Sequence, residues 1–379
     1  MHERSVAALG TWLAEPMSRD VSEAVERLRR APDVQRIAVM PDVHLASDVC
    51  IGLVIATSHL IYPQAVGGDI GCGMLALAFD TDARALQDPR VAGDVLASLG
   101  RALPARRRNR RRAIARPPEL EAVTLSAPVL DSKRRATEIL EFGTLGSGNH
   151  FLELQAAEDD RLWLMVHSGS RGIGPAIRDF HMARGQSAGA GLRALDARSE
   201  QGAEYLHDAA WARRFADASR RAMAAEAGEV VQAILGARLC WETAIATDHN
   251  HVAMERHDDC DLYVHRKGAM PAAAGQPGVL PGSMGGESFH VEGRGNHDAM
   301  CSSAHGAGRA SSRTVTRAKV TARDLRRQMD GVWFDYRLAD QLRDEAPSAY
   351  KDIRAVLRAQ HDLVKVTRAL RPILSYKGT

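Results

Sequence analysis

Short glycine-rich turns recur through this chain and limit the folds that it can adopt. They lie at residues 67–74, 143–150, 168–174, 281–286 and 306–308, next to short β-like runs. Glycine has no Cβ and tolerates unusual dihedral angles, so such turns join strands tightly and let the backbone approach a ligand. Strands and helical stretches do not alternate regularly, which predicts an α+β fold with mixed or antiparallel sheets surrounded by helices.

The periodicity of apolar residues places the main elements. Residues 18–31 predict an amphipathic helix, residues 175–235 a segment of two or more helices, and residues 337–370 further helix before a short extended tail. Strands are predicted at 36–40, 51–56, 75–78 and 162–166. No repeat or low-complexity linker divides the chain, so we expect a single domain over residues 1–379.

The composition excludes several classes of protein. Hydrophobic residues make up 45% and charged residues 26% of the chain, which is ordinary for a soluble globular protein. No apolar run approaches the roughly 18 residues of a membrane helix, and no apolar signal segment follows the N-terminus. The five cysteines include no CxxC pair, so neither a disulfide framework nor a zinc ribbon is predicted. We expect a cytoplasmic monomer.

Positive charge is carried almost entirely by arginine. The chain has 44 arginines and only six lysines, one of them Lys377 near the end. Eight arginines lie between Arg101 and Arg116. This run is either a solvated charge cluster or a patch that contacts a phosphate backbone, and a GC-rich genome would favour arginine without any binding role.

Metal-binding residue types lie beside glycine or other small residues in several segments. Asp69 and Cys72 share one turn, while His150, His167 and His249 lie in three other segments. A carboxylate, a thiolate and imidazoles together suit Mn²⁺, Fe²⁺, Co²⁺ or Zn²⁺ better than Mg²⁺ or Ca²⁺. Because a thiolate can bridge two ions, a two-metal site that acts on phosphates is one interpretation.

His305 lies among small residues and is followed by Gly306, Ala307, Gly308 and Arg309. The pattern is compatible with a nucleophile, a metal ligand or a general base. The forked cation of Arg309 suits a phosphate, although a structural role is also possible.

Seven segments, in order along the chain, resemble the RtcB family of RNA ligases. They run from about residue 36 to the C-terminus and end in Lys377-Gly378. The matching segments are Met40-Pro41-Asp42-Val43-His44, Val66-Gly67-Gly68-Asp69-Ile70-Gly71-Cys72-Gly73, Gly143-Thr144-Leu145-Gly146-Ser147-Gly148-Asn149-His150-Phe151, His167-Ser168-Gly169-Ser170-Arg171-Gly172, Arg266-Lys267-Gly268-Ala269, Pro281-Gly282-Ser283-Met284-Gly285 and His305-Gly306-Ala307-Gly308-Arg309.

The resemblance implies a specific chemistry in a cleft lined by the glycine-rich loops. The family joins RNA ends that carry a 3′-phosphate or 2′,3′-cyclic phosphate to 5′-hydroxyl ends, in RNA repair or tRNA splicing. It uses GTP and two Mn²⁺ ions and forms a histidine–GMP intermediate. The substrate implied here is therefore RNA, with an accessory activating protein as a possible partner.

The resemblance also implies roles for individual residues. His305 would be the nucleophile, oriented by Asp42. The metal ligands would be Asp69, Cys72, His150, His167 and His249, with Cys72 bridging two ions. The guanylate pocket would consist of Asn149, Glu153, Asn250, Pro281, Gly282, Ser283, Met284, Ser288, Gly306, Ala307, Gly308 and Lys377.

The sequence departs from the family pattern at the rim of the expected cleft. Leu45-Ala46-Ser47-Asp48 replaces a glycine-rich turn, Gly68 replaces a larger residue, and Ala304 stands where serine is frequent. These changes leave the RNA substrate open. The alternatives are a paralogue that guanylylates 3′-phosphate ends or repairs one cleaved RNA, and a dinuclear-metal cyclic phosphodiesterase that uses no nucleotide.

Overall fold

A computed structural model of the protein describes residues 6–46 and 48–378, without the side chain of Arg112. Ser47 of the expected rim and the first residues of the N-terminus lie outside the described part. The strands are β1 (Ala8–Thr11), β2 (Val34–His44), β3 (Ile51–Thr57), β4 (Leu60–Ile61), β5 (Gly73–Asp82), β6 (Phe151–Ala157), β7 (Arg161–Ser168), β8 (Gln186–Ser187), β9 (Arg193–Asp196), β10 (Leu239–Asp248), β11 (Asn250–His257), β12 (Cys260–Lys267), β13 (Ala269–Pro271), β14 (Pro277–Leu280), β15 (Ser288–Gly293), β16 (Ser302–Ala304) and β17 (Val364–Lys377). The helices are α1 (Arg19–Arg29), α2 (Pro89–Ala102), α3 (Pro118–Glu121), α4 (Pro128–Leu140), α5 (Ile173–Arg184), α6 (Glu200–Leu235), α7 (Arg313–Lys319), α8 (Ala322–Gln328) and α9 (Ile353–Ala359).

Two large sheets form the centre of the fold. An antiparallel seven-stranded sheet has the order β10-β5-β7-β6-β17-β15-β14. A five-stranded sheet has the order β1-β2-β3-β12-β11 and is mixed, because β1 pairs with β2 in parallel. Two small sheets, β13-β16 and β4-β9-β8, complete the fold. The predicted α+β class with mixed and antiparallel sheets is confirmed.

The long helix α6 covers one face of the seven-stranded sheet. Met223, Ala227 and Val231 of α6 pack in one buried cluster with strand residues such as Leu77 and Leu164. The side chain of Ser199 caps the first turn by accepting from the N–H of Gly202, and Gly236 ends the helix in the left-handed conformation at φ 71°. The helix is therefore fixed at both ends, and its buried face supports the strands that carry the candidate site.

The N-terminal predictions are close to the structure. Helix α1 lies within the predicted 18–31 segment, with Ser18 as its N-cap and the expected apolar face buried. The predicted strands correspond to β2, β3, β5 and β7. Helices α5 and α6 occupy most of the segment 175–235, as predicted, although α5 begins two residues earlier and the short strands β8 and β9 separate the two helices. Of the helices that the structure describes, none has the length and apolar character of a membrane span.

The prediction of helix over residues 337–370 is wrong for most of that segment. Short 3₁₀ turns at Tyr336–Leu338, Arg343–Glu345 and Pro347–Ala349 precede the short helix α9, and the chain then forms the fourteen-residue strand β17. This strand lies between β6 and β15 in the middle of the seven-stranded sheet. Pairing with strands distant in sequence outweighs the local helical pattern.

Candidate active site

Two groups of possible metal ligands share the Cys72 thiol. Asp69, Cys72 and His150 form one group, and Cys72, His167 and His249 form the other, with the donor atoms of each group within 4.8 Å of one another. Sγ of Cys72 lies 3.2 Å from Nε2 of His167 and 3.5 Å from Nε2 of His150. The structure thus brings together the five side chains that the sequence indicated as ligands and places Cys72 between the two groups.

The register of neighbouring strands explains this convergence. Strands β10, β5, β7 and β6 are adjacent, and Gly73 lies opposite both Ser168 and Asp248. His167 lies opposite Phe151 in the β6–β7 pair, so the loop residue His150 approaches from the next strand. Four strand ends therefore deliver the ligands to one place, although the ligands lie up to 180 residues apart in the sequence.

Burial and hydrogen bonds prepare these groups to bind a cation. Burial lowers the pKa of His167 and of His249 well below the usual range, so both imidazoles are neutral. Burial raises the pKa of Asp69, but His150 and Cys72 outweigh this effect and hold it at about 2. Burial and the Asp69 carboxylate raise the pKa of the Cys72 thiol. A bound cation would favour the thiolate, because metal binding displaces the thiol proton.

The orientation of the imidazoles fits metal binding. Nδ1 of His167 lies 3.0 Å from the carbonyl oxygen of Asn149, which leaves Nε2 facing Cys72 and His249. Such a bond from the far ring nitrogen is typical of metal-binding histidines. Within the described part of the chain, the buried Nδ1 of His150 has no hydrogen-bond partner. The donor set is appropriate for divalent transition-metal ions.

Two residues that the sequence analysis did not assign to the site hold the ligand loops together. Arg220 of α6 is buried and donates from NH1 to the carbonyl oxygens of Gly71 and Ser168, at 2.7 and 2.8 Å. It thereby joins the loop of Cys72 to the end of the strand that carries His167. At Gly169 a Cβ would overlap the carboxylate of Asp69, so the close approach requires glycine.

His305 lies beside the two metal groups and is held by Asp42. Its ring centroid is 4.7 Å from that of His249. Nδ1 of His305 is 2.6 Å from Oδ2 of the fully buried Asp42, although the geometry is not that of a straight hydrogen bond. The same carboxylate oxygen accepts from the backbone N–H of His305 at 3.2 Å. His305 also lines the cleft.

Gly308 permits this arrangement. It has a φ of +71°, and a Cβ there would overlap the backbone carbonyl of Asp42. Glycine is therefore required at position 308 for both its backbone conformation and its close packing against Asp42.

A pocket of about 250 Å³ extends from His305. Most of the residues predicted for a guanylate pocket line it: Asn149, Glu153, Pro281, Gly282, Ser283, Met284, Gly306, Ala307, Gly308 and Lys377. His44, Phe151, Arg309, Arg313 and Tyr350 contribute further parts of the wall. The glycine-rich turns thus line a cleft, as expected.

Two of the residues predicted for the guanylate pocket, Asn250 and Ser288, are not among the residues that line it. Asn250 donates to the carbonyl oxygen of Asp69 and accepts from the N–H of Gly268, so it positions the metal-ligand loop. Ser288 is buried and accepts from Gln155 at 3.2 Å, and Gln155 also donates to Glu153. Both residues support the pocket without forming part of its surface.

Glu153 is a buried carboxyl group in the pocket. Burial raises its pKa to about 7, although Gln155, Lys377 and Ser375 favour the ionised form. Gln155 and Ser375 donate to its two oxygens at 2.9 and 3.3 Å. A ligand that donates N–H groups to this carboxylate would favour the ionised form further.

A buried acid holds the basic side of the pocket, and the sequence analysis missed it. Glu345 is 2.6 Å from Nζ of Lys377, 2.6 Å from the hydroxyl of Tyr350 and 2.7 Å from NH1 of Arg313. Arg309 also pairs with Glu345 and donates to the carbonyl oxygen of Asp344. The guanidinium of Arg309 is thus engaged within the protein, which favours its structural role over a phosphate contact.

The arginine run at residues 101–116 is only partly exposed. Arg108 is buried, pairs with Glu226 and donates to the carbonyl oxygens of Phe142 and Gly143. Arg116 pairs with Glu121 at 2.6 Å. Exposed side chains are those of Arg101, Arg106, Arg107, Arg110 and Arg111. The interpretation as one solvated or RNA-binding patch is therefore wrong for Arg108, which anchors the segment to α6.

Comparison with known proteins shows the family to which the chain belongs. A family model described as tRNA-splicing ligase RtcB matches residues 24–127 and 121–378. The chain belongs to the RtcB family. It is 38% identical to RNA-splicing ligase RtcB of Escherichia coli strain K12 over 395 aligned residues, which cover 96% of this chain and 95% of the relative.

Two relatives from another Escherichia coli strain differ in their similarity to this chain. RNA-splicing ligase RtcB1 is 37% identical, with 96% of this chain and 95% of the relative covered. RNA-splicing ligase RtcB2 is 30% identical, with 92% and 89% covered. The resemblance stated from the sequence motifs is therefore confirmed at the level of the family.

Proposed function

We propose that this RtcB-family protein is an RNA ligase that joins 3′-phosphate or 2′,3′-cyclic phosphate ends to 5′-hydroxyl ends, with GTP and two Mn²⁺ ions. The observation that carries the proposal is the position of His305. Its ring lies against His249, one of the candidate metal ligands, and Nδ1 lies next to Asp42. His305 also lines the pocket that contains Glu153 and Lys377. The proposal includes a single catalytic domain over residues 1–379 and a protein that is a cytoplasmic monomer.

The proposed metal sites use the two groups that share Cys72. One ion would be held by Asp69, Cys72 and His150, and the other by Cys72, His167 and His249. Two divalent ions would supply positive charge against a triphosphate and polarise its α-phosphorus. The buried, neutral imidazoles are suited to this role because a protonated histidine cannot bind a metal.

His305 would act as a nucleophile in the first step. With Asp42 next to Nδ1, the proton is favoured on that nitrogen and the lone pair on Nε2. Nε2 would attack the α-phosphorus of GTP and release pyrophosphate, giving a histidine–GMP bond. The RNA 3′-phosphate would then take GMP from His305, and the 5′-hydroxyl would attack the activated end and release GMP.

The pocket offers groups of the kind that guanine requires. The Glu153 carboxylate can accept from the two N–H donors on the guanine edge, whereas adenine lacks that pair. Lys377 offers an ammonium group in the same pocket, and the turn at residues 281–284 offers backbone groups around a base or ribose. This arrangement supports GTP rather than ATP as the nucleotide.

Covalent labelling tests the nucleophile. Incubation with α-labelled GTP and Mn²⁺ should give an acid-labile, alkali-stable adduct that His305→Ala lacks. His361→Ala is a matched control, because His361 is exposed and lies outside the pocket lining. An adduct of normal yield in His305→Ala would contradict the assignment.

The products of a second assay distinguish the alternatives. A 3′-phosphate RNA and a 5′-hydroxyl RNA, with GTP and Mn²⁺, should give a longer joined product. Accumulation of a guanylylated 3′ end without joining would support the end-capping alternative. Opening of a 2′,3′-cyclic phosphate without GTP would support the phosphodiesterase alternative, in which His305 would act as a general acid. Joining of one cleaved RNA among a panel would support a repair enzyme with a narrow substrate range.

A further inference from the structure

A second cluster of metal-binding side chains lies away from the candidate active site. His257, His297 and Cys301 each place one donor atom within 4.8 Å of the donor atoms of the other two. His257 ends strand β11, whereas His249 lies just before its start. Extended chain rises about 3.3 Å per residue, so roughly 25 Å of strand separates this cluster from His249.

His257 has one nitrogen available for a ligand. Its side chain is buried, and Nε2 lies 3.2 Å from Oε2 of Glu255. Among the described residues, nothing forms a hydrogen bond with Nδ1, although that nitrogen is inaccessible to solvent. Glu255 is itself held by Arg266. A carboxylate on the far nitrogen of an imidazole is the usual support of a metal-binding histidine, because it fixes the tautomer and orientation.

Backbone turns bring the three side chains together. The two residues after His257, Asp258 and Asp259, have φ values of 46° and 63°, so a tight turn leads into β12. In the facing loop, the N–H of Met300 donates to the carbonyl oxygen of His297 at 3.0 Å. That loop therefore folds back and places Cys301 near His297.

We propose that His257, His297 and Cys301 form a Zn²⁺ site with a fourth position for water. Imidazole nitrogens and thiolate sulfurs are the usual ligands of zinc, and ligand distances of about 2.0–2.3 Å place tetrahedral donors roughly 3.5 Å apart. The three donor atoms lie within 4.8 Å of one another, so zinc binding would draw them closer, and the exposed side chain of His297 has room to move. The single thiolate and the lack of a carboxylate in the group favour zinc over Mg²⁺ or Ca²⁺.

The site would join two parts of the fold. His257 belongs to the five-stranded sheet, whereas Cys301 directly precedes β16, which leads to His305. Bound zinc would therefore tie the loop before His305 to the end of the β11–β12 hairpin. This role is structural and does not depend on the proposed ligase activity.

Metal content tests the site. The full chain is dialysed against Zn²⁺, and bound zinc per chain is measured. We expect His297→Ala and Cys301→Ser each to bind about one equivalent less than the unchanged protein. The control His361→Ala changes an exposed histidine and should bind the full amount. Equal zinc content in all four proteins, with native circular dichroism, would overturn the proposal.

Protection of the thiol separates this site from the cluster at Cys72. Zinc should slow alkylation of Cys301 at least tenfold, as measured by mass spectrometry of its peptide, while the half-buried Cys240 keeps its rate. The protection should persist in Cys72→Ser and disappear in His297→Ala. Unchanged alkylation of Cys301 in the presence of zinc, or loss of its protection in Cys72→Ser alone, would overturn an independent site. Neither result depends on whether the protein ligates RNA.

Discussion

The Nζ atom of Lys377 lies 2.6 Å from Oε2 of Glu345, and both side chains are buried. Lys377 is the last residue of β17 in the seven-stranded sheet, and Glu345 is the last residue of a 3₁₀ turn. Arg313 and Tyr350 contact the same carboxylate. Burial raises the pKa of Glu345, but the charges of Lys377 and Arg313 outweigh this effect, and the pKa is lowered overall. Glu345 is therefore ionised and balances the positive charge on this side of the pocket.

Neutralising Glu345 should destabilise the fold. Glu345→Gln leaves the buried ammonium of Lys377 without its charged partner, a change that typically costs about 3–5 kcal/mol. The matched control is Glu287→Gln, since Glu287 pairs with Arg354 at a solvent-exposed position, where such pairs contribute about 1 kcal/mol or less. Urea unfolding followed by circular dichroism measures both. If both variants lose the same free energy of unfolding, the buried pair between Glu345 and Lys377 does not have this stabilising role.

Removing the guanidinium of Arg220 should weaken metal binding. Arg220→Met keeps an apolar stem inside α6 but loses the bonds to Gly71 and Ser168. Mutation of groups that hydrogen-bond to metal ligands typically lowers metal affinity about 10–100-fold. Arg220 holds the backbone next to two of the ligands, and we expect a loss within that range for Mn²⁺, measured by calorimetry.

Arg221→Met is the matched control for this prediction. Arg221 is the next residue of the same helix, is exposed and pairs with Asp217. Circular dichroism should show native helix content in both variants. If Mn²⁺ affinity falls equally in both, the bonds from Arg220 to the ligand loops are not the cause.

The sequence indicated which side chains lie together at the candidate site better than it indicated the residues that support them. Asp69, Cys72 and His305 were singled out because metal-binding or reactive residue types beside glycine are visible locally, and the structure places the three side chains in one region. Arg220 was not, because its partners Gly71 and Ser168 are 149 and 52 residues away and are backbone atoms. No local pattern distinguishes this buried arginine from the many exposed arginines of the chain.

The fold shows the same division. The α1 helix was predicted because its cap and apolar face lie within one short segment. The C-terminal strand β17 was missed because its pairing with β6, more than 200 residues earlier, determines its structure. Glu345 was missed for the same reason: its partner Lys377 reaches it only after β17 enters the sheet.

Glu153 should make stability depend on pH in a particular direction. Its pKa in the folded protein is about 7, above the ordinary value of 4.5. The folded state then holds the proton more tightly, so this contribution to stability is fully present below about pH 4.5 and is lost as the pH rises to about 7. The loss amounts to about 3 kcal/mol, from roughly 1.4 kcal/mol per pKa unit.

The variant Glu153→Gln isolates this effect. It keeps a neutral side chain of similar shape at all pH values, so its unfolding free energy should lack the decline between pH 4.5 and 7. The difference between variant and unchanged protein, measured by urea unfolding at several pH values, cancels the other titrating groups. A difference that is constant from pH 4.5 to 8 would contradict the raised pKa.

The exposed arginines of the 101–116 segment lie next to the glycine-rich loops of the site. The N–H of Gly146 donates to the carbonyl oxygen of Ala105 at 2.7 Å, and Arg171 donates to the same oxygen. An RNA strand entering the cleft would pass this positive segment. Log affinity falls with log salt concentration, and each lost contact with a single-strand phosphate reduces the steepness of this fall by about 0.7. Replacing Arg106, Arg107, Arg110 and Arg111 by glutamine should therefore flatten the salt dependence of RNA binding by up to about 3, measured by fluorescence anisotropy.

The control replaces four exposed arginines elsewhere, Arg19, Arg30, Arg84 and Arg198, and alters net charge equally. An equal slope in the two quadruple variants would show that net charge, and not contact at this segment, governs binding.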